Sequence, residues 1–108
     1  MSDVKITSHA DEVKRAKDDA IARALEAIGI QAEGDVAMLT PVDTGRLRAS
    51  ITHETVPEEE TVYIGTNVEY AAYVEYGTKK AKAQPYLRPG IENNIDTYKS
   101  IAEGYLKG

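Results

Sequence analysis

Between residues 9 and 39, apolar side chains return with the period of an α-helix. Ile21, Leu25, Ile28, Ala32, Val36 and Leu39 follow one another at steps of four, three, four, four and three, which sets them on one stripe of a helical cylinder. Asp11 and Glu12 suit the positive end of the helix dipole, and Ser8 is placed to cap it. Residues 1 to 7 read as a frayed start. Gly29 and Gly34 each weaken the middle by about 1 kcal/mol relative to Ala, so the segment reads as one bent helix or as two helices hinged between these glycines. Thr40-Pro41 ends it, because a residue before proline is pushed out of helical geometry.

One unbroken helix of about 31 residues would measure about 45 Å at roughly 1.5 Å per residue. A compact domain of this length has a radius of gyration near ~13 Å and a diameter of about 34 Å. Such a helix overhangs its own body. Its apolar stripe then needs another cover, most simply a neighbouring copy.

Beyond Pro41 the period changes. Residues 41 to 50 predict a turn and one or two turns of helix, with Asp43 or Thr44 able to cap the amides of Arg46 and Leu47. Ile51 to Val56 and Thr61 to Thr66 predict two strands, with alternation clearest at Val62 and Ile64. Pro57 with Glu58, Glu59 and Glu60 joins them as a solvated tip whose repulsion discourages wrong edge pairing.

The densest apolar and aromatic stretch follows, Thr61 to Thr78, TVYIGTNVEYAAYVEYGT. After Asn67 it has two readings. As a strand, Tyr70, Ala72, Val74 and Tyr76 share a face. As a helix, Tyr70 pairs with Val74 and Val68 with Ala72, and Gly77 stands where a left-handed C-terminal cap belongs. The helix, Val68 to Tyr76, is the favoured reading; it turns Tyr70 and Val74 inward and Tyr73 and Tyr76 elsewhere. Thr78 to Gln84 reads as a mobile basic loop. Tyr86 and Leu87, between Pro85 and Pro89, predict a third strand. Pro89 then starts a last helix, with Ile91, Ile95, Tyr98, Ile101 (or Ala102) and Tyr105 at helical spacing.

The expected fold is therefore α+β, with a long N-terminal helix and a C-terminal helix packed on a small antiparallel sheet through short connecting helices. Residues 1–108 are expected to form a single domain, the long helix over about 9–39 and the α+β body over 41–108.

Composition narrows the function classes. Hydrophobic residues make up 42% and charged residues 29%, ordinary for a globular chain. There are seven Tyr but no Phe or Trp. A Tyr ring is apolar while its hydroxyl needs a partner, so the set fits surfaces buried on association or a small core without room for Trp. The absence of Cys excludes disulfides, thiolate metal sites and a Cys nucleophile. No apolar run approaches the ~20 residues of a membrane span, and no signal peptide is visible. Synthesis and use in a cytoplasm, or in something assembled there, are expected.

The formal net charge of −5 argues against a dedicated nucleic-acid binder, which needs a basic footprint. The charge is nevertheless segregated. Glu54, Glu58, Glu59 and Glu60 crowd one stretch, and Lys79, Lys80, Lys82 and Arg88 crowd another with no acid between them. In a ring of copies, the basic loop of one subunit is expected to meet the acidic hairpin of the next, a heterologous contact that closes by rotation.

Candidate chemistry is thin. His9 and His53 lie in different elements with no carboxylate spacing that makes a metal triad, and His53 is expected to face solvent. Ser50 sits in no nucleophile elbow, and Gly45, Gly65 and Gly77 form no phosphate cradle. Asp43, Arg46 and Arg48 could bind a phosphate or carboxylate, but such a trio is more often a helix cap beside solvated or interfacial arginines. Asp43, Arg46 and His53 around a cleft define the competing reading, a small ligand-binding or hydrolytic domain. No catalytic residue, metal or cofactor is otherwise expected.

Three blocks in order, TPVDTGRLRASI, GTNVEYAAYVEYGT and AQPYLRPGIE, resemble the small tail-component proteins of long-tailed bacteriophages, described also as neck, head–tail joining or tail-completion proteins. Pro41, Asp43, Thr44, Gly45, Leu47 and Ser50 match the first block. Gly65, Tyr70, Ala71, Val74, Glu75, Gly77 and Thr78 match the second, and Pro85, Leu87, Arg88 and Pro89 the third. The chain departs at Tyr86, where the family often carries Phe; the ring is kept and a hydroxyl added. With the flanking helices the resemblance spans about residues 10 to 105.

The resemblance implies a non-catalytic structural virion protein of the head–tail junction, assembled in the host cytoplasm. It would act as a ring homo-oligomer docked between head-connector and tail proteins. Arg46, Arg48, Tyr70, Tyr73, Tyr76, Lys79, Lys80, Lys82 and Arg88 are the candidate docking residues. No membrane and no specific nucleic-acid contact are expected, although genome DNA would pass nearby, where a net negative protein does not grip phosphates.

Overall fold

The computed structural model describes residues 8–41 and 45–107, with side-chain surroundings in the first helix given from residue 15 onward. The expectations of a frayed start, a Ser8 cap and an Asp43 or Thr44 cap lie outside the described residues, as do the surroundings of His9.

Helix α1 runs unbroken over Ser8–Leu39, so neither Gly29 nor Gly34 is a hinge. At about 48 Å for its 32 residues, it outruns the body packed beside it. The molecule measures 62 × 22 × 19 Å, with a radius of gyration of 17.7 Å, well above the compact value. The stop is made at Thr40, which is buried. Its N–H donates to the carbonyls of Val36 and Ala37, both at 3.1 Å, and its hydroxyl donates to the Val36 carbonyl at 2.9 Å.

Helix α2, Gly45–Ala49, buries Leu47 completely. Strands β1, Thr52–Val56, and β2, Thr61–Gly65, form a two-stranded antiparallel sheet that pairs His53 with Ile64 and Val56 with Thr61. A short 3-10 turn, Pro57–Glu59, joins them. Glu60 closes it in the left-handed region at φ 51°, its N–H donating to the Pro57 carbonyl at 2.9 Å. Helix α3 occupies Ala71–Tyr76, α4 Leu87–Glu92 and α5 Ile95–Lys107.

The α+β class and the long helix match the expectation; the short helix begins at Ala71 rather than Val68, and two further details differ. There is no third strand among the described residues, because Tyr86 and Leu87 open α4 instead. Pro89 falls inside the first turn of that helix, where the amide it lacks would have no helical acceptor. The last helical stretch is also split. Asn94 turns its side-chain amide back to the Gly90 carbonyl at 2.8 Å, and its own carbonyl accepts from Tyr98 to start α5.

The core lies where α1, α2, the sheet, α3 and α4 converge, around Val36, Leu47, Ile51, Val68 and Tyr86. A β-carbon at Gly90 would lie 2.8 Å from the Val36 Cα, so the absence of a side chain lets α4 sit directly on α1. The hydroxyl of Tyr98 donates to Asp35 at 2.7 Å, tying α5 to the same helix. The α1 stripe is only partly enclosed. Of its members Ala32 and Val36 are buried, as is Ala24 beside it, whereas Leu39 is 44% exposed because the next residue, Thr40, takes the inward place. Toward the N-terminal half, Ile21, Leu25 and Ile28 line an open groove with Ala102, Tyr105 and Leu106 of α5.

Candidate functional site

Two of the sequence blocks meet at a single carboxylate. Glu75, on α3, is buried. Its Oε1 accepts the backbone N–H of Tyr86 at 3.0 Å and of Leu87 at 2.9 Å, and its Oε2 that of Arg88 at 3.2 Å. These are the amides that a helix beginning at Leu87 leaves without helical acceptors, so α3 caps α4 across an intervening loop. Burial pushes the Glu75 carboxyl up, but the three amides and Arg88 outweigh it and hold it below the usual carboxylate range.

The loop between these helices folds back on α3 through hydrogen bonds. Gln84 N–H donates to the Val74 carbonyl at 2.9 Å, and Thr78 N–H to the Ala81 carbonyl at 2.8 Å. The Thr78 hydroxyl accepts the amides of Lys80 and Ala81 at 3.2 and 3.0 Å. Gly77 opens the loop at φ 78°, extended in ψ rather than a left-handed cap, and its N–H donates to the Tyr73 carbonyl. A β-carbon there would meet the Ala83 nitrogen at 2.7 Å. Glycine is required twice over, by dihedral and by space.

The outer side of this unit carries most of the docking candidates. Tyr73 is 63% and Tyr76 74% exposed, while Tyr70 and Val74 pack against the core. Tyr70, Tyr73 and Lys82 line one groove of about 190 Å³ with Pro41, Val74 and Thr78. Lys79, Lys80 and Arg48 project into solvent, and the exposed Arg88 lies 3.8 Å from Glu92. Arg46 is engaged within the chain. It donates to both carboxylate oxygens of Glu69, at 3.0 and 2.9 Å, with its guanidinium 5.6 Å from the Tyr70 ring centre.

His53 does not face solvent as expected. Its side chain is 12% exposed and lies between two carboxylates of α1: Nε2 meets Glu26 at 2.9 Å and Nδ1 meets Glu33. Because Glu26 and Glu33 are seven apart, about two helical turns, they bracket one ring lying across Gly29. Hydrogen bonding to Glu33 raises the pKa of His53, burial opposes it, and Glu26 adds to the rise, favouring the doubly protonated imidazolium. With both nitrogens occupied, the ring offers no lone pair to a substrate or metal.

Among the described residues, the shallow depression that His53 lines is formed by Ser50, Thr52, Glu54 and residues 63–67, without Arg46. The Ser50 hydroxyl is spent on the Leu47 carbonyl at 2.7 Å and on Thr66, and Asp43 lies outside the described residues. Among the described residues no cluster of His, Cys, Asp and Glu is arranged to hold a metal ion, and no helix is long and apolar enough to cross a membrane.

Sequence reasoning missed Glu75 and the His53 clamp. The signal for the first was present, since Glu75 is among the residues that match the second block, but its partners lie eleven to thirteen residues away. Comparison with curated proteins and with solved structures returns no match. A family described as "Bacteriophage HK97-gp10, putative tail-component" matches residues 5–77, which takes in α1 through α3 and ends at Gly77. The chain therefore belongs to the HK97-gp10-like family of bacteriophage tail components, among the structural, tail-related proteins of the virion.

Proposed function

We propose that the chain is a neck or tail-completion protein of the phage head–tail junction. It acts by assembling with copies of itself into a ring and by docking between the head-side connector and the tail. Membership of the tail-component family is the observation that carries this reading. The elongated body, with an apolar groove left open between α1 and α5, adds support, because such a groove is normally covered in an assembly. The role is non-catalytic and needs no cofactor. The net charge of −5 suits a component beside the path of the genome, where attraction to phosphates would retard DNA.

The docking face in this reading is the outer side of α3 with the loop that follows, led by Tyr73 and Tyr76 and flanked by Lys79, Lys80, Lys82 and Arg88. Arg46 and Arg48 of α2 extend it. Complementation of a phage lacking this gene with Tyr73→Ala/Tyr76→Ala tests the role. The isolated variant is expected to melt like the wild type while heads and tails accumulate unjoined. Normal joining by the variant would remove the tyrosines from the docking face. Complete particles formed without the protein would remove the neck assignment itself.

A further inference from the structure

The acidic hairpin tip and the basic loop stand at opposite ends of the body. The tip, Pro57–Glu60, lies beside Asp18 and Ile21 of α1. The groove between α3 and the lysine loop lies beside Pro41, just past the other end of that helix. From Ile21 to Pro41 is about 30 Å at roughly 1.5 Å per residue, so the two cannot meet within one chain.

Both surfaces also hold charge that the fold does not use. Lys79, Lys80 and Lys82 are exposed and make no ion pair among the described residues. Glu58 and Glu60 are exposed and likewise unpaired, while Glu59 accepts the Tyr63 hydroxyl at 3.0 Å. The groove combines two tyrosine rings with a lysine, and the tip combines a proline ring with carboxylates. Apolar and charged chemistry are complementary on the two sides.

We propose that the tip Pro57–Glu60 of one copy seats in the groove formed by Tyr70, Tyr73 and Lys82 of a second copy. The contact rests on the self-assembly reading above and names its interface. It is heterologous, using different surfaces of each partner, so repetition closes a ring or runs on as a filament.

Charge exchange tests it. Glu58→Lys/Glu60→Lys reverses the tip, and Lys79→Glu/Lys80→Glu/Lys82→Glu reverses the groove. All these side chains are exposed, so melting points should hold. In light scattering at low salt the wild type should form oligomers that dissociate as salt screens the contact. Each variant alone should associate at least about tenfold more weakly. An equimolar mixture should assemble again, because each variant then meets a partner of opposite charge. Lys82→Glu alone, the milder change, must weaken association in the same direction. If the wild type assembles and the variants assemble equally well, the contact is wrong and self-assembly stands. If the wild type remains monomeric at every concentration, self-assembly and the contact fall together.

Discussion

The imidazole of His53 fills the space that Gly29 leaves empty: a β-carbon at Gly29 would lie 2.3 Å from Cδ2 of the ring. A residue that is unfavourable for a helix is thus the residue that lets the hairpin pack against that helix. Gly29→Ala gains helix propensity of about 1 kcal/mol but forces the ring away from Glu26 and Glu33. Net destabilisation of about 1–3 kcal/mol is expected, the usual range for overpacking. Gly34 has open space at the same atom, so Gly34→Ala should stabilise by about 0.5–1 kcal/mol. Denaturant melts of the two variants should move in opposite directions.

The His53 clamp makes stability depend on pH in one direction. Its folded pKa is raised above 6.5, so its contribution is complete below about 6.5 and is lost as pH rises through the folded value. Thermal melts from pH 6 upward should show a fall in the wild type that His53→Gln lacks. Equal slopes for the two proteins would mean that the clamp is not charged in the folded state.

Glu75 acts in the opposite window. Its folded pKa is lowered from 4.5, so its contribution is present above that value and is lost as pH falls through the folded one. Glu75→Ala leaves three amides without their acceptor at a buried site and should cost about 3 kcal/mol, within the range for hydrogen bonds to a charged group. Hydrogen exchange should become fast at Tyr86, Leu87 and Arg88 while α1 stays protected.

Tyr98→Phe removes the hydroxyl that joins α5 to Asp35, with little change in packed volume. Burial, then the neighbouring Asp35 carboxylate, pushes the Tyr98 pKa up, so the group is a neutral donor at all ordinary pH. The expected loss is about 1–2 kcal/mol for one hydrogen bond to a charged acceptor, read from the shift of the denaturation midpoint at constant slope.

Elements whose cause is local were legible in the sequence. The α1 stripe repeats over many turns, and Thr40-Pro41 stops it within a residue of the observed end. The hairpin was legible at Val62 and Ile64, and the exposure of Tyr73 and Tyr76 followed from helical spacing in α3. What failed has a distant cause. Pro85 and Pro89 make Tyr86-Leu87 look extended, but Glu75 supplies acceptors for a helix start that its own neighbours do not specify. His53 stands in a strand of mostly polar residues, THETV, where alternation does not tell one face from the other; the inward face was chosen by Glu26 and Glu33 on another element. Of the docking candidates, the groove joining Tyr70 and Tyr73 to Lys82 was invisible, because it depends on the loop folding back against α3.

That fold-back has an entropic consequence. A free loop of this composition would have to be ordered on contact, at about 1–2 kcal/mol for each backbone residue fixed. Between Gly77 and Gln84, the bonds to Tyr73, Val74, Ala81 and Thr78 meet much of that requirement during folding. A partner that reads Lys79, Lys80 and Lys82 therefore meets a backbone that is already largely organised. Its capture should be limited by electrostatic encounter rather than by loop closure.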